Sequence, residues 1–235
     1  MTPTVAVVAS DIFASTAAAL IAELVEAATA SRGACSIALC GGSTPVPVYR
    51  DLIGRTIDWS KVAIFFGDER AVSPDHPDSN YAMARRELLD HLARSPAQVH
   101  RMAADRDDID VAAREYDRIL PPRFDVLLLG VGSDGHTASL FPGSRAVTEP
   151  SRRVVAVPSP PLPLTPQVPR MTITPLVLAA ARHVIVLVQG SEKAAILQRI
   201  LDGPDQPTLL PAQLARSGTW IVDRAAAAHL QSRDN

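Results

Sequence analysis

The sequence predicts an α/β protein: a mainly parallel sheet with helices on both faces, in one domain covering residues 1–235. Three observations carry this. Short β-branched runs alternate with longer helical stretches. The runs are apolar throughout, as strands covered on both faces are. A length of 235 residues with 47% apolar content suits a single domain with a full core.

Residues 5–8 read as the first strand. Residues 11–30, rich in Ala, Leu and Glu, read as a helix with Ser10 or Asp11 as N-cap. Residues 36–40 form the second strand. The two cysteines, Cys35 and Cys40, lie five apart in this run, on opposite faces, and cannot pair with each other. A helix starts near Pro45, where proline is tolerated in a first turn. The run 62–66 is the third strand, with helices expected at 79–91 and 109–120. FDVLLLG, residues 124–130, is the strongest strand. Further strands are expected at 154–157, 171–173, 184–188 and 220–222, and helices at 175–180, 192–201 and 224–230. Residues 158–169 carry six prolines in twelve positions, which predicts a stiff extended loop. Only 66 residues follow it, too few for an independent sheet, so the loop crosses the surface of one domain.

Composition excludes several classes. Lys and Arg total 23 against 25 Asp and Glu, a net charge of −2, which argues against a broad nucleic-acid or membrane-binding face. No disulfide framework and no CxxC metal pair is present. The N-terminus lacks a basic segment followed by a long apolar one, and the apolar runs fall short of the ~20 residues that span a bilayer. A soluble cytoplasmic protein without an obligate protein partner is expected. There is no GxxxxGKS/T, GxSxG, HExxH or EF-hand string and no zinc spacing, so neither metal nor cofactor is expected. Among the 23 basic residues only Lys61 and Lys193 are lysines, which marks both for attention.

In such folds ligands collect at the carboxyl ends of the strands, and the distinctive residues cluster there. After the second strand, LCGGSTP offers close backbone approach at Gly41 and Gly42, hydroxyls at Ser43 and Thr44, and the free N–H groups of a helix start. These favour an anion, most simply phosphate; the alternative is an ordinary capped strand–helix turn. After the third strand, Asp68, Glu69 and Arg70 follow one another. Three charges in a row usually mark a solvated loop, but these sit at a strand's ligand edge, and Arg70 could grip phosphate or carboxylate in a planar fork. If the strand continues, Asp68 and Arg70 point the same way.

After the strongest strand, GVGSDG matches GxGxxG only formally. Pro142-Gly143 breaks the segment after barely two turns, and Glu149 precedes the next strand instead of ending it, so a dinucleotide site is rejected. His136 is the better candidate, as a base with Asp134 as its orienting carboxylate. His76, His91, His100, His183 and His229 have no such surroundings. Farther on, Arg170 in VPRMTIT and Lys193 in GSEKAAIL are candidate anion contacts, Lys193 lying one turn into a helix.

At these residues the chain resembles the 6-phosphogluconolactonase family of the glucosamine-6-phosphate isomerase/deaminase-like superfamily. The matching strings are GGSTP, GDER with DSNY, FDVLLLGVGSDGHTASLFPG, RMTIT, GSEKAAIL and WIVDRAA, in order along nearly the whole chain. The resemblance implies a modified Rossmann-like sheet and cofactor-free hydrolysis of a small phosphosugar lactone, 6-phospho-D-glucono-1,5-lactone. It implies His136 as general base. It also implies Arg70, Arg170, Lys193 and the Gly41, Gly42, Ser43, Thr44 turn as phosphate and substrate contacts, to which Asp68, Glu69, Gly135 and Thr137 are added as neighbours. Family members often carry a lysine in a short stretch before the RMTIT-like segment; here that stretch is longer and has none.

Two other readings stay open. A sugar-phosphate isomerase/deaminase of the same fold would favour an aromatic after Asp-Glu and a GHIAFNEP-like string, where this chain has Arg70 and HTASLFPG. A non-catalytic sugar-phosphate-sensing domain would need a DNA-binding module, and no helix-turn-helix precedes the first strand.

Overall fold

A computed structural model describes residues 3–231. The chain runs β1 (Thr4–Val8), α1 (Phe13–Arg32), β2 (Cys35–Leu39), α2 (Pro45–Ile53), β3 (Val62–Phe66), β4 (Asp68–Arg70), α3 (Asn80–Glu87) and β5 (Gln98–Val99). It continues α4 (Ile109–Ile119), β6 (Val126–Gly130), β7 (Val154–Val157), β8 (Arg170–Ile173), α5 (Pro175–Ala180), β9 (His183–Val188), α6 (Ala194–Leu201) and β10 (Thr219–Asp223). Seven strands form one parallel sheet in the order β1-β10-β9-β6-β2-β3-β5. Beside it, β4, β8 and β7 make a separate antiparallel sheet.

The strand order reverses between β2 and β6. From β2 the chain winds outward through β3 to β5, and from β6 outward the other way through β9 to β10, beyond which β1, the first strand, forms the edge. The carboxyl ends of β2, β6 and β9 are therefore neighbours, and a crevice opens at this switch point. The central strands are buried, and Val126, Leu127, Leu128, Ile37, Ile64, Ile185 and Val186 are fully enclosed.

The antiparallel sheet begins at one residue. Gly67 separates β3 from β4, its N–H donating to Leu39 O of the parallel sheet (2.9 Å) and its carbonyl accepting from Ile173 N of β8 (2.9 Å). The chain thus passes from one sheet to the other without a loop. Register then places Arg70 opposite Arg170.

Several sequence expectations change. Neither Ser10 nor Asp11 caps α1; the cap position is Ile12, without a side-chain bond, and Ser10 donates instead to Asp223. At 20 residues α1 is long and apolar enough to cross a membrane by length and composition. Here Phe13, Ala17, Ala18, Ile21, Val25 and Ala28 are buried at helical spacing. The helix expected at 79–91 ends at Glu87 and gives way to a 3-10 turn. The helix expected at 224–230 is absent. Single bonds of i→i+4 type (Ala227 N to Asp223 O) and i→i+3 type (Ala228 N to Ala225 O) alternate there, and no continuous ladder forms. The proline-rich segment is not extended: it folds back on itself between β7 and β8, with the Gln167 amide donating to Pro160 O and Leu164 O.

Glu69 fastens β4 to α3. Its buried carboxylate accepts from Ser79 Oγ (2.9 Å) and from the amides of Asn80 (2.8 Å), Tyr81 (2.8 Å) and Arg70 (2.8 Å). Burial pushes its pKa above the usual carboxylate value against these bonds, which favour the charge. Glu69→Ala leaves those donors without an acceptor and should cost about 3 kcal/mol. Urea unfolding checks this; an unchanged midpoint would show that α3 holds its place without Glu69.

Candidate active site

A cavity of about 390 Å³ occupies the crevice. Its walls come from the turns after β2, β6 and β9, and from the antiparallel sheet.

The turn after β2 contributes Cys40, Gly41, Gly42, Ser43 and Thr44. Tyr49, fully buried on α2, holds its start: the phenol donates to Cys40 O (2.8 Å) and accepts from Cys40 N (3.0 Å). The Asn80 side chain lies against Gly41, where a Cβ would come within 1.9 Å of it, so a larger residue here would displace the Asn80 amide from its bonds to Asp68. The helix start that follows is a poorer anion site than the sequence suggests. Pro45 and Pro47 have no N–H, and that of Val46 is bonded to Ser43 O. The donors on this edge are the amides of residues 41–44. Burial pushes the Cys40 thiol up to about 12, so it is no nucleophile here.

The turn after β6 presents His136. Its Nδ1 lies 2.5 Å from Asp134 Oδ1, which also accepts from the His136 amide (3.1 Å). Burial raises the pKa of Asp134, but the hydrogen bond and charge of His136 outweigh it and hold the carboxyl below its usual value. With Nδ1 engaged by a carboxylate, the ring proton belongs on Nδ1 and Nε2 remains as acceptor. Gly132 donates to His136 O (2.8 Å), and a Cβ on Gly132 would stand 2.0 Å from Nδ1. The imidazole thus rests on bare backbone. Ala138, next along the wall, sits in the left-handed region at φ 49°, an uncommon conformation for a residue with a Cβ.

The antiparallel sheet supplies Asp68, Arg70 and Arg170. Arg70 donates through Nη1 to Asp78 O, and Arg170 through Nη2 to Thr165 O and Pro166 O at 3.4 Å each. The Nε atoms of both arginines are buried and have no hydrogen-bond partner. Burial lowers the pKa of Arg170; the Asp68 carboxylate opposes that and the like charge of Arg70 adds to it. Asp68 is fixed by Ser139 Oγ (2.7 Å) and Asn80 Nδ2 (3.0 Å). Phe141 stands between the two halves of the site, its ring 5.1 Å from that of His136 and 5.4 Å from the Arg170 guanidinium.

The turn after β9 adds Gln189, Glu192 and Lys193. Lys193 ends a 3-10 turn and precedes α6, not one turn inside it, and among the described residues it makes no ion pair. Lys61, the other lysine, pairs with Asp58 at 3.5 Å on the surface.

Of the residues expected from sequence, Gly41, Gly42, Ser43, Thr44, Asp68, Arg70, His136, Arg170 and Lys193 converge on this cavity. Asp134 stands behind His136. Glu69 does not reach the cavity, because strand alternation turns it toward α3. Gly135 and Thr137 also fall outside the lining: Gly135, at φ 88°, packs toward Leu210, and Thr137 Oγ1 bonds to Gly130 O. Sequence reasoning passed over Gln189, Glu192, Ser139 and Phe141. The last two lie inside the HTASLFPG string, the only signal that could have found them. Among the described residues no group of three His, Cys, Asp or Glu could hold a metal ion.

Comparison with known proteins gives the family. Residues 9–222 match the family model for glucosamine-6-phosphate isomerases/6-phosphogluconolactonase. The 6-phosphogluconolactonase of Mycobacterium tuberculosis is 41% identical over 241 aligned positions, covering 95% of this chain and 96% of its own. That of Synechocystis is 37% identical, covering 87% and 88%. The 6-phosphogluconolactonase structure from Trypanosoma brucei superposes with a TM-score of 0.87 at 32% identity, covering 98% of this chain and 99% of that one. A monomeric glucosamine-6-phosphate deaminase shares the fold (TM-score 0.84) at only 21% identity. The chain belongs to the glucosamine-6-phosphate isomerase/6-phosphogluconolactonase family and stands among its 6-phosphogluconolactonases.

Proposed function

We propose that this cytoplasmic enzyme hydrolyses 6-phospho-D-glucono-1,5-lactone to 6-phospho-D-gluconate, the second step of the oxidative pentose phosphate pathway. The observation that carries the reading is one cavity holding both a carboxylate-oriented imidazole and two arginines with unpartnered buried Nε atoms. The imidazole suits activation of water, and the arginines suit a phosphate.

The phosphate of the substrate takes its place among Arg70, Arg170 and Lys193, with the amides of residues 41–44 as further donors. Held there, the ring presents C1 to a water at His136 Nε2. Nε2 takes a proton as the water oxygen attacks C1, and Asp134 stabilises the imidazolium that results. Negative charge gathers on the former carbonyl oxygen, where the backbone N–H groups of the glycine turns are the nearest class of donor. Collapse breaks the bond from C1 to the ring oxygen, which receives the proton back from Nε2. The acid product then ionises. A lactone is an activated ester, so neither metal nor covalent intermediate is needed. An isomerase reading finds less support: Arg70 stands where that chemistry would favour an aromatic, and the deaminase likeness is one of fold alone.

His136→Asn keeps the approximate size but removes the base. Lactone hydrolysis, measured above the spontaneous background, should lose about 10²–10⁴-fold in kcat with KM much less affected. Asp134, held below the usual carboxylate range by its bond to His136, stays ionised at neutral pH and keeps the ring oriented. Near-normal kcat in the variant would remove His136 from this role.

Gly132→Ala would drive a methyl into the imidazole. An ångström of displacement costs roughly 10²-fold, so kcat should fall by about that much while thermal stability stays within a few degrees. Retention of full kcat would mean the ring can move without consequence.

Unphosphorylated glucono-1,5-lactone should be a far poorer substrate, because distal binding energy orients the ring. Lys193→Met should lower kcat/KM for the phosphorylated lactone by roughly 10–100-fold, the equivalent of one charge-assisted contact of about 1.5–3 kcal/mol. Equal kcat/KM for the two lactones would refute the phosphate site.

A further inference from the structure

The closing WIVDRAA string takes no part in the chemistry above, yet it holds a buried carboxylate next to the site. Asp223 ends β10 and is 2% exposed. Its Oδ1 accepts from Gly190 N (3.1 Å) and Ala226 N (2.8 Å), and its Oδ2 accepts from Ser10 Oγ (2.8 Å). No cation pairs with it among the described residues.

Gly190 is the hinge of the third cavity wall. It lies between Gln189 and the 3-10 turn Ser191–Lys193, with φ at 104° and ψ at 142°, a conformation nearly confined to glycine. The carboxylate of Glu192 folds back over it, so that a Cβ at Gly190 would stand 2.3 Å from Glu192 Oε2. The Lys193 amide donates to Gly190 O (3.1 Å). The direction in which Lys193 leaves the sheet is therefore set at Gly190, and the one side chain that bonds the Gly190 amide is Asp223. The register of β10 on β9 pairs Val222 with Val188, which brings Asp223 level with this turn.

We infer that Asp223 is a positioning residue for substrate binding: by holding the Gly190 amide it aims Lys193 into the cavity. The inference rests on the assignment of Lys193 to the phosphosugar. It predicts a coupling between two residues that the fold alone does not require. A carboxylate serving only to close the end of β10 would leave Lys193's contribution unchanged.

The test is a double-mutant cycle on lactone hydrolysis with Asp223→Ala, Lys193→Met and the pair. Asp223→Ala should raise KM for the phosphorylated lactone on the order of tenfold, with kcat changed less than about threefold because His136 stands on another turn. In the Lys193→Met background the same change should raise KM less than about twofold. Asp223→Asn keeps an oxygen toward the two amides and an NH₂ toward Ser10 Oγ, but as a neutral and weaker acceptor. It should give a KM rise of about two- to threefold, again absent beside Lys193→Met, and it carries the test if Asp223→Ala fails to fold. KM effects that multiply in full, or an Asp223→Asn enzyme with unchanged KM, would overturn the inference. If Lys193→Met alone has no effect, the phosphate assignment of Lys193 fails, which is a separate outcome.

Discussion

Two positive charges on paired strand residues, with incomplete hydrogen bonding, are the constraint around which this site is arranged. Arg70 and Arg170 are paired residues of adjacent antiparallel strands, and each keeps a buried Nε without a partner. Burial lowers the pKa of Arg170, and the like charge of Arg70 adds to that. Asp68 offsets part of this from within the same cavity wall, but Ser139 and Asn80 hold its oxygens. The folded chain therefore carries an electrostatic deficit that a dianion would cancel. In the proposed reading, a phosphate between the guanidinium groups gains more than the contacts it makes, because it also offsets their like charge. A neutral sugar has no access to that gain.

The architecture follows from placing this pair opposite the base. A parallel sheet alone presents its loops at one edge, and loops are less rigid than strands. Here Gly67 carries the chain straight into a second sheet, with a hydrogen bond to each, so Arg70 and Arg170 stand on strands instead of loops. The segment 137–141 then ties the sheets together. Thr137 closes on Gly130 at the end of β6, Ser139 reaches Asp68 and Thr172 in the antiparallel sheet, and Phe141 touches His136 and Arg170 at once. Arg170 and His136 thus keep a fixed separation, which is what the proposed attack on C1 requires.

Much of this was legible in the sequence because the signals were local. The parallel strands are apolar runs between turn residues, and Val62–Phe66 and Val154–Val157 fall where the pattern places them. Strand β4 gives no such signal: its three residues are all charged, and only pairing with β8 makes it a strand. Alanines 225–228 favour a helix, and Asp223 accepts from the Ala226 amide as a helix cap would, yet the bonds that follow are of mixed turn types and the chain forms turns. In the site, Asp68 and Arg70 could be predicted to share a face from alternation alone, and the same rule turns Glu69 away from the cavity. The role of Glu69 at α3 depends on contacts ten to twelve residues distant. Gln189 and Glu192 were hidden because neither residue type is unusual on a surface turn. Their place at the cavity comes from β9 lying beside β6, which is a property of topology.

The same topology explains why a base and a set of cations can share one small cavity without neutralising each other's function. Asp134 holds the ring from behind, where the 2.5 Å contact to Nδ1 lies on the side away from Nε2. Asp68 stands on the other wall, among the arginines. In the proposed reaction each carboxylate therefore answers the charge on its own side: Asp68 moderates a fixed positive field, and Asp134 supports the positive charge that His136 carries between proton uptake and ring opening. Exchanging their positions would preserve the net charge of the cavity and lose both effects, since Asp68 cannot orient an imidazole it does not touch. What the fold supplies is the assignment of one acid to each half of the site.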